Sequence, residues 1–181
     1  MDLQTATFAN GCFWCTEAIF KRLKGVTSVM AGYTGGERKN PNYYQVVTGV
    51  SGHAEAIQLM FDPSIISYQH LVEIFFATHN PTTLNQQDYD VGTQYRSAIF
   101  YHDANQKQVA EKVKTELEKS GKYDKPIITE IVPFDEFYEA EKHHQDFYDN
   151  NKSVPYCQII IDPKIKKLLE KFGKDVKEEY K

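Results

Sequence analysis

Apolar residues in this chain fall into short runs that alternate, from one end to the other, with stretches of helical spacing. The runs at residues 4–9, 26–33, 53–61, 96–102, 127–133 and 157–161 predict strands. Residues such as Thr7, Val29, Ile57, Ile99, Ile131, Ile159 and Ile160 give them the β-branched content that suits a pleated, half-buried surface. Helices are predicted over 13–24, ended by Gly25; over 66–78, closed by Asn80-Pro81; over 103–120, closed by Gly121; and over 135–149 and 163–178. Ile19, Phe20 and Leu23 carry the apolar face of the first, and Leu71, Ile74 and Phe75 that of the second.

Strand, helix, strand, strand, helix, strand is the opening order. It predicts an α/β (α+β) fold, a two-layer sandwich with helices on one face of a mixed sheet and a split βαβ, ferredoxin-like core. Two irregular stretches interrupt it, 34–52 and 79–95, and loops of that length in a compact domain are often functional. With no repeat and no linker, residues 1–181 are expected to form a single domain, with 150–181 as a C-terminal extension. The Lys- and Glu-rich tail from Lys164 reads as a solvated helix started by Asp162-Pro163.

A chain of 181 residues, 41% hydrophobic and 25% charged, is ordinary for a folded protein with a full core. A net charge of -4 presents no basic face to a polyphosphate, so nucleic acid is not expected as a partner. No apolar run approaches the ~20 residues that span a bilayer, so no membrane association is expected. Met-Asp-Leu-Gln at the start lacks the features of a signal peptide, which predicts a cytoplasmic location. Three cysteines are too few and too irregular for a disulfide framework.

Gly11-Cys12-Phe13-Trp14-Cys15 joins the first strand to the first helix. A side chain there meets unpaired backbone N–H groups and the positive end of the helix dipole, which favour a thiolate. Cys12 is therefore a candidate nucleophile, and Cys12 with Cys15 a candidate redox dithiol. As half of a zinc site the pair lacks a second half, and as core the cysteines would be small hydrophobes. Glu55 enters a strand between Ala54 and Ala56, where desolvation raises a carboxyl toward the range of a general acid. Asp90 and Tyr95 stand in the second irregular stretch and Tyr43 in the first.

Gly11–Trp14, Gly32–Gly36, Asn40–Tyr43, Gly52–Ala56, Asp90–Ser97, His144-Gln145 and Tyr156-Cys157 together resemble, in order and spacing, the class A peptide methionine sulfoxide reductases. The resemblance runs from about Ala6 to Cys157. It implies that Cys12 attacks the sulfoxide sulfur and that Phe13 and Trp14 cradle the substrate methyl group. It further implies that Glu55 donates the proton the oxygen needs, with Tyr43 and Tyr95 hydrogen-bonding that oxygen and Asp90 holding a water or the polar part of the substrate. A sulfenic acid on Cys12 would then condense with a second thiol. Cys157 matches the family's resolving position, and Cys15, where many members have glycine, is one helical turn from Cys12.

The implied substrates are oxidised proteins or peptides bearing methionine-S-sulfoxide, with thioredoxin or dithiothreitol as external reductant, no cofactor and no metal. A monomer is expected. Three other readings compete: a thioredoxin-like thiol–disulfide oxidoreductase using Cys12 and Cys15, a zinc-binding module, and a cysteine hydrolase pairing Cys12 with His53 or His144.

Overall fold

In the computed structural model, which describes residues 2–181, the chain forms β1 (Gln4–Asn10), α1 (Phe13–Phe20), β2 (Val26–Thr34), α2 (Tyr43–Val47), β3 (Ala54–Phe61) and α3 (Tyr68–Ala77). A short hairpin, β4 (Gln86–Gln87) and β5 (Asp90–Val91), precedes β6 (Ser97–Tyr101) and α4 (Ala104–Lys119). Then come β7 (Glu130–Pro133), β8 (Phe137–Glu139), α5 (Phe147–Asn150) and α6 (Asp162–Phe172).

Six strands make one mixed sheet in the order β7-β6-β1-β3-β2-β8, with β6 and β7 parallel and every other pair antiparallel. The inner four, β6-β1-β3-β2, are connected through α1 and α3 as the split βαβ pattern predicts. Ala6 and Phe8 on one face of β1, and Thr7 and Ala9 on the other, are all fully buried, so the central strand is covered on both sides. The helix-bearing face holds the large core. There the Phe8 ring lies 5.2 Å from Phe20 of α1 and 5.3 Å from Phe75 of α3. Each such buried ring contributes about 1.5–3 kcal/mol. The opposite face is built of small residues, Ala9, Ala54, Ala56 and Ala98, under Phe100, Val132, Phe134 and Phe137. No helix among the described residues is long and apolar enough to cross a membrane.

Several predicted elements differ. Residues 157–161 form a turn of π-helix leading straight into α6 rather than a strand. Cys157, Ile161 and Leu168 are fully buried at helical spacing while Ile159 is exposed, so packing overrides the β-propensity of the isoleucines. The helix predicted over 135–149 divides into β8, a 3₁₀ turn at Lys142–His144 and α5. β8 pairs with the edge of β2 because Gly32 has no side chain: a Cβ there would lie 2.3 Å from the Tyr138 carbonyl oxygen. α1 stops at Phe20 because the tail claims the backbone beyond it. Lys24 N–H donates to the Asp175 carbonyl (2.8 Å) and Lys177 N–H to that of Arg22 (2.9 Å). The tail does begin as a helix at Asp162-Pro163 and exposes Lys166, Lys167, Glu170 and Lys171, but its other face is packed, with Lys164 largely covered and Leu168 wholly so.

Candidate active site

Gly11 makes the turn from β1 into α1 with φ +106, a conformation open to glycine, and the β4–β5 hairpin packs directly on it. Cys12 is the N-cap residue of α1. Its carbonyl accepts hydrogen bonds from the N–H groups of Cys15 (3.1 Å) and Thr16 (3.3 Å), so its side chain is set by helix geometry. Phe13 N–H, one of the free donors of the first turn, points at Glu55 and donates to its Oε2 at 3.0 Å. Glu55 reaches this position because it shares the helix-bearing face of β3 with Ile57 and Leu59, two and four residues on.

Burial drives the Glu55 carboxyl up to about 8, the Phe13 N–H opposing and the charge of Asp90 adding to it. Glu55 is thus protonated at neutral pH. Tyr43, the first residue of α2 behind its Asn42 cap, is raised to about 12 by burial and by the charges of Glu55, Cys12 and Asp90. Tyr95 is raised by burial and by Glu55 and Asp90. Asp90 accepts a hydrogen bond from the Tyr156 hydroxyl at 2.7 Å, and burial lifts its carboxyl in spite of that bond. The structure therefore brings Cys12, Glu55, Tyr43, Tyr95 and Asp90 around one point, from five separate elements or loops.

The thiols correct one expectation. Burial pushes the Cys12 thiol well up, and the neighbouring Cys15 and Glu55 push it further, so the end of an eight-residue helix does not hold a thiolate there. Cys12 and Cys15 instead act on one another, the Cys15 thiol moving opposite to that of Cys12. The neighbouring Cys12 draws the Cys15 thiol down against its burial, helped by the ammonium of Lys164. Cys15 Sγ also lies 3.8 Å from the Tyr156 hydroxyl. Cys157 is fully buried on the π-helical turn that packs against α1, raised by burial and by the charge of Cys15.

Trp14 is half-buried, its indole stacked on Phe147 at 3.7 Å and meeting Tyr156 edge-on at 5.7 Å. Phe13 is almost wholly interior, with Tyr33 at 5.8 Å and His144 at 5.3 Å. His144 and Tyr156, which sequence reasoning had only as parts of late motifs, complete the wall. Trp14 Nε1–H donates to His144 Nδ1 at 3.2 Å, so the His144 proton sits on Nε2, buried without a partner. The signal for both was their place beside Gln145 and Cys157, which carries no chemistry until the chain folds back. A cavity of about 740 Å³ lies elsewhere, between the hairpin and α6, and Cys12 does not line it.

These contacts separate the competing readings. His144 is a neutral donor with its other nitrogen occupied, and both His53 nitrogens bond to loop backbone at Gly36 and Arg38, so neither serves Cys12 as a base. Among the described residues no three His, Cys, Asp or Glu side chains are grouped to hold a metal ion. The thiols share their surroundings with the Glu55 and Asp90 carboxyls and the phenol of Tyr156, groups that a simple dithiol exchange does not need.

Two neighbouring thiols beside a protonated carboxyl and a ring of phenols are equipped for thiol redox chemistry assisted by a proton donor. Known proteins agree. The family model for peptide methionine sulfoxide reductase matches residues 4–177. A "Peptide methionine sulfoxide reductase MsrA" of Sulfolobus acidocaldarius is 54% identical over 170 residues, 94% of this chain and 96% of the relative. Reduced Mxr1 from Saccharomyces cerevisiae superposes with TM-score 0.78 at 34% identity, covering 86% of this chain and 89% of that one. Mxr1 in complex with Trx2 does so with TM-score 0.55 at 25% identity, covering 80% and 84%. The chain belongs to the peptide methionine sulfoxide reductase family, and its activity is the thiol-dependent reduction of methionine sulfoxide.

Proposed function

We propose that the protein reduces the S epimer of methionine sulfoxide, in proteins and as the free amino acid, through a Cys12 sulfenic acid and an intramolecular disulfide that thioredoxin reopens. The observation that carries this reading is the buried, protonated Glu55 held by Phe13 N–H beside Cys12. A sulfoxide is a polar S–O group next to a methyl, and one side of this site offers proton donors while the other offers an indole face. Resemblance to the class A enzymes supplies the hand.

Cys12 Sγ attacks the sulfoxide sulfur while Glu55 delivers a proton to the oxygen, with the Tyr43 and Tyr95 hydroxyls stabilising charge on it. Glu55 recovers a proton as the Cys12 thiol is consumed. The oxygen ends on Cys12 as a sulfenic acid, and methionine leaves. Asp90 and Tyr156 hold the polar part of the substrate, and Trp14 over Phe13 takes the methyl group. The thiol of Cys15 or Cys157 then closes a disulfide with release of water. The complex of Mxr1 with Trx2 supports a thioredoxin as the partner that returns the thiols. We place this activity in the cytoplasm, in a monomer whose residues 1–181 act as one domain with 150–181 as its C-terminal extension.

The test supplies each epimer of a blocked methionine sulfoxide with dithiothreitol. Reduction of the S epimer alone is expected; equal turnover of both, or of the R epimer alone, overturns the assignment.

A further inference from the structure

Lys164 occupies a place where the amphipathic pattern calls for an apolar side chain. Cys157, Ile161, Lys164 and Leu168 follow one another at helical spacing along the π-helical turn and α6, and the other three are fully buried. The Lys164 side chain is only 14% exposed, and its Nζ is 2.7 Å from Asp88 Oδ2 at the tip of the β4–β5 hairpin. Burying an ammonium is costly, and one exposed-side carboxylate repays it poorly. The π-helical turn and α6 both pack against α1, which carries Cys15, and this places the Lys164 ammonium within the field of the Cys15 sulfur and also of Cys12, where a thiolate would offset that cost.

We propose that Lys164, anchored by Asp88, is a positioning residue that supplies the counter-charge for the Cys15 sulfur, so that Cys15, ahead of Cys157, resolves the Cys12 sulfenic acid. This rests on the sulfenic acid chemistry above. The Cys15 thiolate attacks Cys12 Sγ, the S–S bond forms as the S–O bond breaks, and hydroxide leaves as water after taking a proton from the site. The Cys157 thiolate then attacks Cys15 Sγ, forming Cys15–Cys157 and expelling the Cys12 thiolate, which takes up the proton that Cys157 lost. Cys12 is thereby freed for a new substrate.

The groups facing Cys15 agree with this order. The Tyr156 hydroxyl, on the segment before α6, lies 3.8 Å from its Sγ, Cys12 at the head of α1 neighbours it, and Asp90 on β5, Glu55 on β3 and Cys157 on the π-helical turn are within its field. Lys164 is the cation in this set, and the Cys15 and Asp88 charges hold it protonated against the pull of burial.

The experiment is a single turnover of the full chain without reductant, quenched by alkylation, with disulfides mapped by mass and released methionine counted in the same samples. The unmodified protein, Lys164→Met and Lys164→Arg are compared from neutral pH to about pH 9. Cys12–Cys15 is expected as the first disulfide. Relative to the methionine burst, Lys164→Met should form it about tenfold more slowly at neutral pH, recovering as the pH is raised, because losing a neighbouring cation raises a thiol by about a unit or more. Lys164→Arg should restore the rate. A methionine burst with Cys12–Cys157 appearing first overturns the inference but leaves the sulfoxide reading intact, and so does a pH-independent loss that arginine fails to rescue. Absence of any burst in the unmodified protein overturns both.

Discussion

Glu55 and Cys12 divide the chemistry by their surroundings. Both are desolvated, so the carboxyl keeps its proton to about 8 and the thiol keeps its own until a substrate arrives. Cys12→Ser should release no methionine in a single turnover, since a serine hydroxyl is a far poorer nucleophile. Glu55→Gln keeps a hydrogen-bonding oxygen for Phe13 N–H but has no proton to give. It should slow the burst by ~10²–10⁴-fold at neutral pH. Activity of the unmodified protein should fall as pH rises through about 8, where Glu55 ionises, and that limb should be missing from the Gln variant. Stability follows the same group. A carboxyl raised from 4.5 to about 8 binds more protons folded than unfolded, so stability falls as pH rises between those values. Thermal melts should therefore show Glu55→Gln gaining on the unmodified protein from pH 5 to pH 9; a constant difference would remove burial as the cause.

At the scale of elements, the site depends on the hairpin seated over the strand-to-helix turn. β4 and β5 are two residues each, too short to be stable alone, and Gly11 provides their seat. A Cβ at Gly11 would fall 2.7 Å from Gln87 Cβ, with φ at +106, so neither the backbone nor the neighbour accommodates it. Gly11→Ala should cost about 1–3 kcal/mol in urea unfolding. It should also raise KM more than a variant of equal stability elsewhere, because Asp90 and the Asp88 anchor move with the hairpin. An equal effect of Gly11→Ala and such a control on KM would show that the hairpin does not position the site.

Across the whole molecule, thiols from near both ends of the chain meet because α6 and the tail return to α1. Leu23 bridges Val176, Arg22 donates to Asp149 at 2.5 Å, and the Tyr180 ring lies 4.6 Å from its guanidinium. Cys157→Ser should still give one methionine per molecule, then stall with thioredoxin, because the disulfide offered to the partner is missing. Turnover with dithiothreitol should survive in part, since small thiols attack a sulfenic acid directly. Full thioredoxin-driven activity in Cys157→Ser would give the outgoing disulfide to Cys12 and Cys15 alone.

Local pattern was enough for β1, α1, β2, β3, α3, β6 and α4, because each shows its buried face through its own period, while the short α2, β4 and β5 lay inside stretches that read as irregular and α1 ends four residues early. Cys12, Glu55, Tyr43, Tyr95 and Asp90 are named together through the family resemblance of motifs in register, since taken singly Glu55 reads as a solvent-facing strand residue and Tyr95 as core. Beyond α4 the pattern misled. Ile159 and Ile160 read as strand and fold as helix, residues 135–149 read as helix and begin as an edge strand, and Lys164 reads as solvent-facing and is covered. In each case the deciding neighbour, whether Gly32, α1 or Asp88, is at least 70 positions away in the chain. The protonation of the thiols belongs to the same class. A helix end favours a thiolate at Cys12, but desolvation and the neighbouring Cys15 outweigh it, and how deeply a group is buried is a property of the folded packing, not of its neighbours in sequence.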